Sequence, residues 1–163
     1  MEHLNEEAPS RQHDDKELNT AQRYPVSFSI FALARSHRAL AGQMLRDIGL
    51  FPGQEIMLLQ LWDKDGQSQQ SLGRTIGVDH STVAKSVKRL EESGLVTRTR
   101  SPEDGRVTLV WLTEAGRSLE AKVNGIWEEL ERITVNGLTE AERKQLAALA
   151  QRIASSVDSA IKN

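Results

Sequence analysis

The chain has 163 residues, of which 38% are hydrophobic and 27% charged, and its formal net charge is −2. This length supports a real hydrophobic core, and a content of 11 Gly and four Pro residues excludes a collagen-like or low-complexity chain. The absence of cysteine excludes disulfides, thiolate metal sites and thiol redox sensing.

The first 24 residues are predicted to form a disordered acidic tail. They contain six Asp or Glu residues against three Lys or Arg residues, without apolar periodicity. No signal-peptide hydrophobic region is present, and no apolar run approaches the roughly 18 residues of a membrane helix. These features predict a soluble, cytoplasmic protein without a membrane partner, in which residues 25–163 form a single domain.

A long amphipathic helix is predicted over residues 25–48. His37 falls on its apolar face, where a histidine is more often a satisfied core or interface residue than a ligand group. The apolar residues of that face recur at intervals of three and four: Ile30, Leu33, Leu40 and Met44.

A second, shorter helix is predicted after the interruption at residues 51–53. Pro52 can open this helix within its first turn, and Asp65-Gly66 ends it. The three tryptophans of the chain are assigned to the core. The inner face of the second helix is predicted to carry Ile56, Leu59 and Trp62.

Two further helices are predicted between residues 68 and 94. Ser68 and Asp79 are their candidate N-caps, because the side-chain oxygens of such residues accept from first-turn backbone amides. Gly77 and Gly94 are the predicted left-handed stops. The inward faces carry Leu72 and Ile76 on the shorter helix, and Val83, Val87 and Leu90 on the longer one.

The outward face of the longer helix carries hydroxyls and cations, and carboxylates come only at its far end. Residues 69–106 hold seven Lys or Arg and five Asp or Glu, so this segment is positive within an acidic chain. At about 100° per residue, five side chains point away from the apolar face or lie on its shoulder: Ser81, Thr82, Lys85, Lys88 and Arg89.

Two alternating segments rich in β-forming residues follow, at residues 96–100 and 107–111. Asp104-Gly105 between them predicts a hairpin turn, with Asp104 fixing the turn or holding a nearby Arg rather than reading a base. Arg106 is expected at the tip, where an Arg can enter the narrow minor groove. Helix, turn, helix and hairpin in this order predict a winged helix-turn-helix.

Two long helices are predicted after the hairpin. Thr113 can cap the first, Asn136-Gly137 breaks it, and Thr139-x-x-Glu142 is a capping box for the second. Together with residues 25–48, these helices offer more apolar surface than the small winged helix-turn-helix, here called the head, can cover. An intrachain bundle and a two-fold dimer are both compatible with this pattern. The apolar faces carry Leu119, Val123, Ile126, Leu130 and Ile133, then Leu146, Leu149, Ile153, Val157 and Ile161.

The segment 72–116 resembles the MarR family of bacterial transcription regulators. Three motifs carry the resemblance in order: Val-Asp-His-Ser-Thr-Val from Val78, Arg-Leu-Glu from Arg89 followed by Gly-Leu-Val from Gly94, and Asp-Gly-Arg from Asp104 followed by Leu-Thr-Glu-Ala-Gly from Leu112. The resemblance implies a mainly α fold with a small β-hairpin wing. It assigns the winged helix-turn-helix to residues 53–112 and dimerisation helices to residues 25–48 and 113–162.

The resemblance implies a homodimeric repressor that binds double-stranded DNA at a pseudo-palindromic operator. Lys88 is assigned to phosphate and Arg106 to the minor groove, on a wing turned by Asp104 and Gly105. His80, Arg98 and Arg100 stay open between DNA contacts and ordinary surface residues. The residues assigned to the major groove or its edge are Ser81, Thr82, Lys85 and Arg89.

Family members commonly release DNA when a small anionic aromatic ligand binds between the dimer helices and the head. This makes Arg35, His37 and Arg38 candidate ligand contacts. Neither an enzymatic activity, a cofactor nor a metal is predicted, because the sequence has no His-Glu-x-x-His spacing, phosphate-binding Gly loop or nucleophile elbow. The alternative is a winged-helix protein-interaction module without DNA binding, which predicts a neutral or apolar outward face.

Overall fold

A computed structural model describes residues 21–161, and the chain divides into two compact units, residues 1–52 and 53–163. The first unit contains helix α1 (Pro25–Arg46), with Pro25 in its first turn and Gly49 in the left-handed conformation (φ 77°) just beyond its end. Most of the predicted tail lies outside the described residues, but residues 21–23 are helical. Helical structure is therefore already present on the N-terminal side of the predicted boundary at residue 24.

The second unit is mainly helical, with one small antiparallel sheet in the strand order β1-β3-β2. None of the described helices is long and apolar enough to cross a membrane. The elements in chain order are α2 (Gln54–Asp63), β1 (Gln67–Ser68), α3 (Gln69–Ile76), α4 (His80–Glu92), β2 (Val96–Arg100), β3 (Thr108–Leu112), α5 (Glu114–Ser118), α6 (Glu120–Thr134) and α7 (Glu140–Ile161).

The core of the second unit draws one or more apolar side chains from each longer element except α7. Burying each such side chain contributes about 1.5–3 kcal/mol to stability. The predicted inward face of α4 is confirmed, since all three of its residues are fully buried. The core consists of Met57, Leu58, Leu61, Leu72, Val83, Val87, Leu90, Val96, Val110, Leu112, Val123, Leu130 and Val135.

The predicted inner face of α2 is wrong. Met57, Leu58 and Leu61 are buried, whereas Ile56, Leu59 and Trp62 are only half-buried. The run from Ile56 to Trp62 is almost continuously apolar, so its periodicity does not distinguish one face from another. Pro52 also lies before the helix, because the N-cap is Gly53 with φ 98°.

The predicted hairpin exists, but its connection is longer than an Asp-Gly turn. Residues 101–107 join the two strands, and the Val107 amide donates to the Asp104 carbonyl at 2.9 Å. Gly105 and Arg106 are therefore the central residues of the turn, with Gly105 outside the positive-φ region. The second strand starts one residue later than predicted, and the two-residue β1 was not predicted because it is too short to leave a pattern.

The assignment of all three tryptophans to the core needs correction. Trp111 is 39% exposed, and its indole N–H donates to the Thr99 hydroxyl at 2.9 Å. Its ring lies directly against Gly66, leaving no room for a β-carbon there. Trp62 and Trp127 are half-buried.

The long helix predicted after the wing is divided in two at Leu119. Leu119 keeps helical angles, but its amide donates to the Gly116 carbonyl at 3.4 Å, a three-residue rather than a four-residue bond. The same carbonyl accepts from the Trp62 indole at 3.2 Å, so it is shared at the point of the break. The stop at Gly137 (φ 83°) and the capping box of α7 are confirmed.

Candidate nucleic-acid interface

Helices α3 and α4 are held in place by their caps and by one close approach. The Ser68 hydroxyl accepts from the Ser71 amide at 3.0 Å, and Gly77 ends α3 with φ 73°, as predicted. A β-carbon on Gly73 would lie 2.9 Å from the Val83 side chain. Gly73 therefore lets the two helices pack closely, a role that no pattern in the sequence indicates, because a mid-helix glycine carries no distinctive signal.

The N-cap of α4 is Asp79, as predicted, and it binds more than the backbone. Its Oδ1 accepts from the Thr82 amide at 3.0 Å and from the Ser81 hydroxyl at 2.6 Å, and its Oδ2 accepts from the Thr82 hydroxyl at 2.6 Å. Hydrogen bonds from the Ser81 hydroxyl, and then from the hydroxyl and amide of Thr82, hold the pKa of Asp79 far below its usual range. This carboxyl group is therefore ionised near neutral pH.

The outward face of α4 is exposed over its whole length. It is defined by Ser81, Thr82, Lys85, Lys88 and Arg89. Lys88 Nζ lies 3.6 Å from Glu92 Oε1, and both side chains are more than 60% exposed. Such a surface pair is worth only about 0.3–0.5 kcal/mol, so Lys88 can exchange it for a phosphate. The structure brings the predicted residues together on one surface: Ser81, Thr82, Lys85, Lys88 and Arg89.

The wing, which comprises β2, β3 and their connecting loop, is tied to the end of α4. Arg98 Nε donates to Glu91 Oε2 at 2.9 Å, and its Nη2 reaches the same oxygen. The hydrogen bonds from Arg98 lower the pKa of Glu91. Arg98 therefore links the wing to the end of α4, and its role toward DNA stays a prediction.

Arg106 is exposed near the tip of the wing, inside the turn rather than directly after it. Its backbone amide donates to Asp104 Oδ1 at 2.9 Å, which confirms that Asp104 fixes the turn. Across the strands, Arg100 Nη1 donates to the Thr108 hydroxyl at 3.3 Å. Both guanidinium groups remain on the same end of the wing.

A cleft of about 570 Å³, here called the wing cleft, separates the wing from the starts of α3 and α4. Among the described residues that line it, two are arginines, one is a histidine and none is acidic. The polar lining suits an anionic group such as a phosphate. Its residues are Ser68, Gln69, Gln70, His80, Arg100, Arg106, Val107 and Thr108.

The wing cleft brings together residues that the sequence analysis did not connect. His80 and Arg100 had been left open, and Gln69 and Gln70 were missed. The available signal was the position of both glutamines directly after the N-cap Ser68, where first-turn backbone amides are free to meet an anion. The pairing of Arg100 with Thr108 across the strands depends on the register, which the sequence did not specify.

The segment 112–116 connects the wing to the next helix. The Thr113 hydroxyl donates to the Gly94 carbonyl at 2.6 Å and accepts from the Gly116 amide at 3.0 Å. The Thr113 amide donates to the Leu95 carbonyl at 3.1 Å. A β-carbon on Gly116 would overlap that carbonyl oxygen. The motif thus joins the start of α5 to the turn that follows α4.

The candidate ligand contacts lie on α1. Arg35 and Arg38 are exposed, and His37 is half-buried. The Arg35 guanidinium lies 5.9 Å from the centre of the Phe31 ring, in a cation–π arrangement. Their assignment to a ligand stays a prediction.

A sequence profile of the MarR family matches residues 53–108. The chain is 31% identical to the HTH-type transcriptional regulator TtmR of Methylorubrum extorquens (strain PA1) over 145 residues, which cover 89% of this chain and 70% of TtmR. It is 34% identical to the HTH-type transcriptional repressor IacR of Pseudomonas putida over 122 residues, or 73% of each chain.

The fold agrees with these sequence similarities. The solved structure of BpsR from Bordetella bronchiseptica, described as regulated in its DNA binding by 6-hydroxynicotinic acid, matches with a TM-score of 0.73 and 27% identity. The match covers 80% of this chain and 98% of that one. The similarities extend well beyond the head to the helices on either side of it. The chain therefore belongs to the MarR family of winged helix-turn-helix, DNA-binding transcription regulators.

Proposed function

We propose that this protein is a repressor that binds a pseudo-palindromic operator as a homodimer, with one α4 helix in each of two successive major grooves. The observation that carries this proposal is the outward face of α4. Its hydroxyls and cations are exposed, while the opposite face is locked by the fully buried Val83, Val87 and Leu90. A protein-interaction module would need a neutral or apolar face at this position, and no observation favours one.

Different residues of the head serve different parts of the DNA. Lys85 and Arg89 are placed for base edges in the major groove, and Lys88 for a phosphate. Arg106 enters the adjacent minor groove from the wing. The wing cleft takes a phosphate of the intervening backbone, held by His80 and Arg100.

The proposed homodimer rests on the apolar surface that the chain leaves uncovered. Helix α7 has no buried residue, and the apolar residues along one of its faces are between 38% and 76% exposed. Ile30 and Leu33 of α1 are likewise 46% and 55% exposed. Pairing of these helices across a two-fold axis would cover them and set two heads roughly 34–36 Å apart on the DNA.

A small anionic aromatic ligand is the proposed signal for release. This rests on the similarity to BpsR, whose DNA binding is described as regulated by 6-hydroxynicotinic acid, and on the cationic groups of α1. Arg35 and Arg38 supply positive charge for a carboxylate, and His37 supplies a hydrogen-bonding group beside them. Operator binding measured against a panel of aromatic acids tests this assignment.

The function is tested by selecting bound duplexes from a random library and measuring affinity for the enriched site by fluorescence anisotropy. We expect an inverted repeat with half-site centres one helical turn apart. Lys85→Ala should weaken binding by about 1–3 kcal/mol if Lys85 reaches a base edge. Lys144→Ala on α7, which removes an exposed lysine outside the head, is the control and should have little effect. Failure to enrich any sequence would contradict the proposal.

A further inference from the structure

The hydrogen bonds at the start of α4 determine which way two hydroxyl protons point. A serine or threonine hydroxyl has one proton to donate and two lone pairs that accept. An ionised carboxylate can only accept. Since the Ser81 and Thr82 hydroxyls each lie 2.6 Å from an oxygen of Asp79, both must direct their single proton to that carboxylate. Only lone pairs remain to face outward.

We propose that Asp79 is a specificity-determining positioning residue, which makes the Ser81 and Thr82 hydroxyls acceptor-only groups toward DNA. The N-terminal end of α4 then selects bases on the contacted strand that present an amino group in the major groove. This inference rests on the proposed placement of α4 in the major groove. It gives Asp79 a role besides capping the helix. It also fixes the hydrogen-bonding polarity of two hydroxyls, which can then only accept from DNA although a free hydroxyl could donate or accept.

The chemistry of the major groove turns this polarity into a base preference. Adenine presents N6–H₂ and cytosine N4–H₂ as donors, whereas guanine O6 and N7 and thymine O4 only accept. A free hydroxyl can rotate to satisfy either kind of edge. The two hydroxyls bound to Asp79 cannot, so they favour adenine or cytosine over guanine or thymine on the strand they contact. The Asp79 charge adds to this preference, because it repels the keto oxygens and attracts the amino protons.

Asp79→Asn separates this role from the capping role. Asn is as good an N-cap as Asp, so the Thr82 amide keeps its acceptor and α4 keeps its start. The Asn amide, however, carries donor hydrogens that can occupy a hydroxyl lone pair, which leaves that hydroxyl proton free to face the DNA. Glu103→Gln in the wing is the matched control, since it removes one negative charge from the same head at an exposed side chain without touching either hydroxyl.

The experiment compares selections from a random duplex library for four proteins: wild type, Asp79→Asn, Glu103→Gln, and the double variant Ser81→Ala with Thr82→Val. The quantity measured is a ratio of bases on the contacted strand of each half-site. It compares bases with an amino group in the major groove (adenine and cytosine) with bases that have a keto group there (guanine and thymine), at each enriched position. For a single hydrogen bond we expect a wild-type preference of about two- to tenfold. The preference should persist in Glu103→Gln. It should fall toward one at the same positions in Asp79→Asn and in the double variant.

Base analogues test the same claim atom by atom on the selected operator. Replacing the preferred adenine by purine removes only the N6 amino group, and 2-pyrimidinone does the same for cytosine N4. Wild type should lose the same two- to tenfold factor, and Asp79→Asn should lose little. Replacing adenine by 7-deazaadenine removes the N7 acceptor instead. This change should leave the wild-type contact of Ser81 and Thr82 intact.

The outcomes separate this inference from the function on which it rests. If wild type enriches an operator and Asp79→Asn keeps the same amino-to-keto ratio, Asp79 is only a helix cap and the inference is wrong. An unchanged ratio in the double variant would overturn it equally, because the hydroxyls would then not read a base. If no protein enriches any sequence, the DNA-binding function itself fails. Melting temperatures of each variant establish that the proteins compared are folded.

Discussion

Gly116 shows how one missing side chain positions a whole element. The start of α5 lies so close to the turn after α4 that a β-carbon at Gly116 would overlap the Leu95 carbonyl oxygen. The Gly116 amide donates to the Thr113 hydroxyl, and the Gly116 carbonyl accepts from the Trp62 indole N–H. These contacts leave the segment little freedom to move away from a larger residue.

We therefore expect Gly116→Ala to destabilise the protein by about 1–3 kcal/mol, the usual cost of overpacking a close contact. Gly125→Ala is the control, because this exposed glycine of α6 has open space around its α-carbon. Removing backbone freedom there should stabilise the helix by about 0.5–1 kcal/mol. Urea unfolding measures both variants, and equal effects of the same sign would contradict the steric explanation.

Glu55 couples stability to pH because it is a buried acidic residue, with only 6% of its surface exposed. Burial raises the pKa of Glu55 above its ordinary value of 4.5, although hydrogen bonds from backbone amides, including that of Gly53 at 2.7 Å, oppose this shift. The folded state therefore binds the proton more tightly than the unfolded state does. The contribution of Glu55 to the free energy of unfolding is fully present below pH 4.5 and is lost as pH rises through the raised pKa of Glu55.

Glu55→Gln should remove this dependence, so its stability relative to wild type should be greater at pH 7 than at pH 4. Glu142→Gln is the control with the opposite sign. The pKa of Glu142 is lowered by hydrogen bonds from the Thr139 amide and hydroxyl, so wild type loses that contribution as pH falls. Urea unfolding of the three proteins at both pH values tests the pair. A pH-independent difference for Glu55→Gln would refute the assigned shift.

At the scale of elements, the wing is oriented by a few polar contacts around its base. Arg98 binds Glu91 at the end of α4. Asp65 Oδ1 accepts from the Leu112 amide at 2.9 Å, and its Oδ2 lies 2.7 Å from Arg117 Nη2. With its base held at both sides, the wing presents Arg106 from a defined position.

Arg106→Ala should weaken operator binding by about 1.5–3 kcal/mol, the range for hydrogen bonds to charged groups. The loss should be greatest on operators with A·T-rich flanks, where the minor groove is narrow and its potential most negative. Replacing those flanks by G·C pairs should mimic the mutation, and the two losses should not add. Fluorescence anisotropy on both duplexes makes the measurement. An equal loss on both kinds of flank would mean that Arg106 contacts only phosphate.

At the scale of the whole molecule, charge and apolar surface are unevenly distributed. The chain has a net charge of −2, yet residues 69–106 are net positive and include the outward face of α4 and the wing loop. We expect the acidic remainder to reduce indiscriminate binding to DNA, because like charges repel. The uncovered apolar faces of α1 and α7 lie outside this basic segment, as the proposed homodimer requires.

Leu149→Asp combined with Ile153→Asp should give monomers or insoluble protein and abolish operator binding. Both residues are about 40% exposed in the single chain, and covering such side chains is worth about 1.5–3 kcal/mol each. Gln151→Asp with Ser155→Asp is the matched control, since these residues lie on the opposite face of α7. Sedimentation should find dimers for wild type and the control. A wild-type monomer at micromolar concentration would exclude the proposed dimer.

The sequence determined the local features of this protein because they depend on neighbours in the chain. Ser68, Asp79 and the pair Thr139 and Glu142 were identifiable as caps from their spacing alone, and so was the inward face of α4. The strict three- and four-residue repeat of Val83, Val87 and Leu90 leaves one possible face. The motifs around α4 and the wing were sufficient to identify the family.

Only the tertiary structure decided the features that depend on residues far apart in the chain. It chose the buried face of α2, where apolar residues on every side made the pattern ambiguous. It assigned Arg98 to Glu91, left Trp111 exposed beside Gly66, and assembled the wing cleft from two helix starts and a strand pair. Each of these results depends on strand register or helix packing, which local spacing along the chain does not encode.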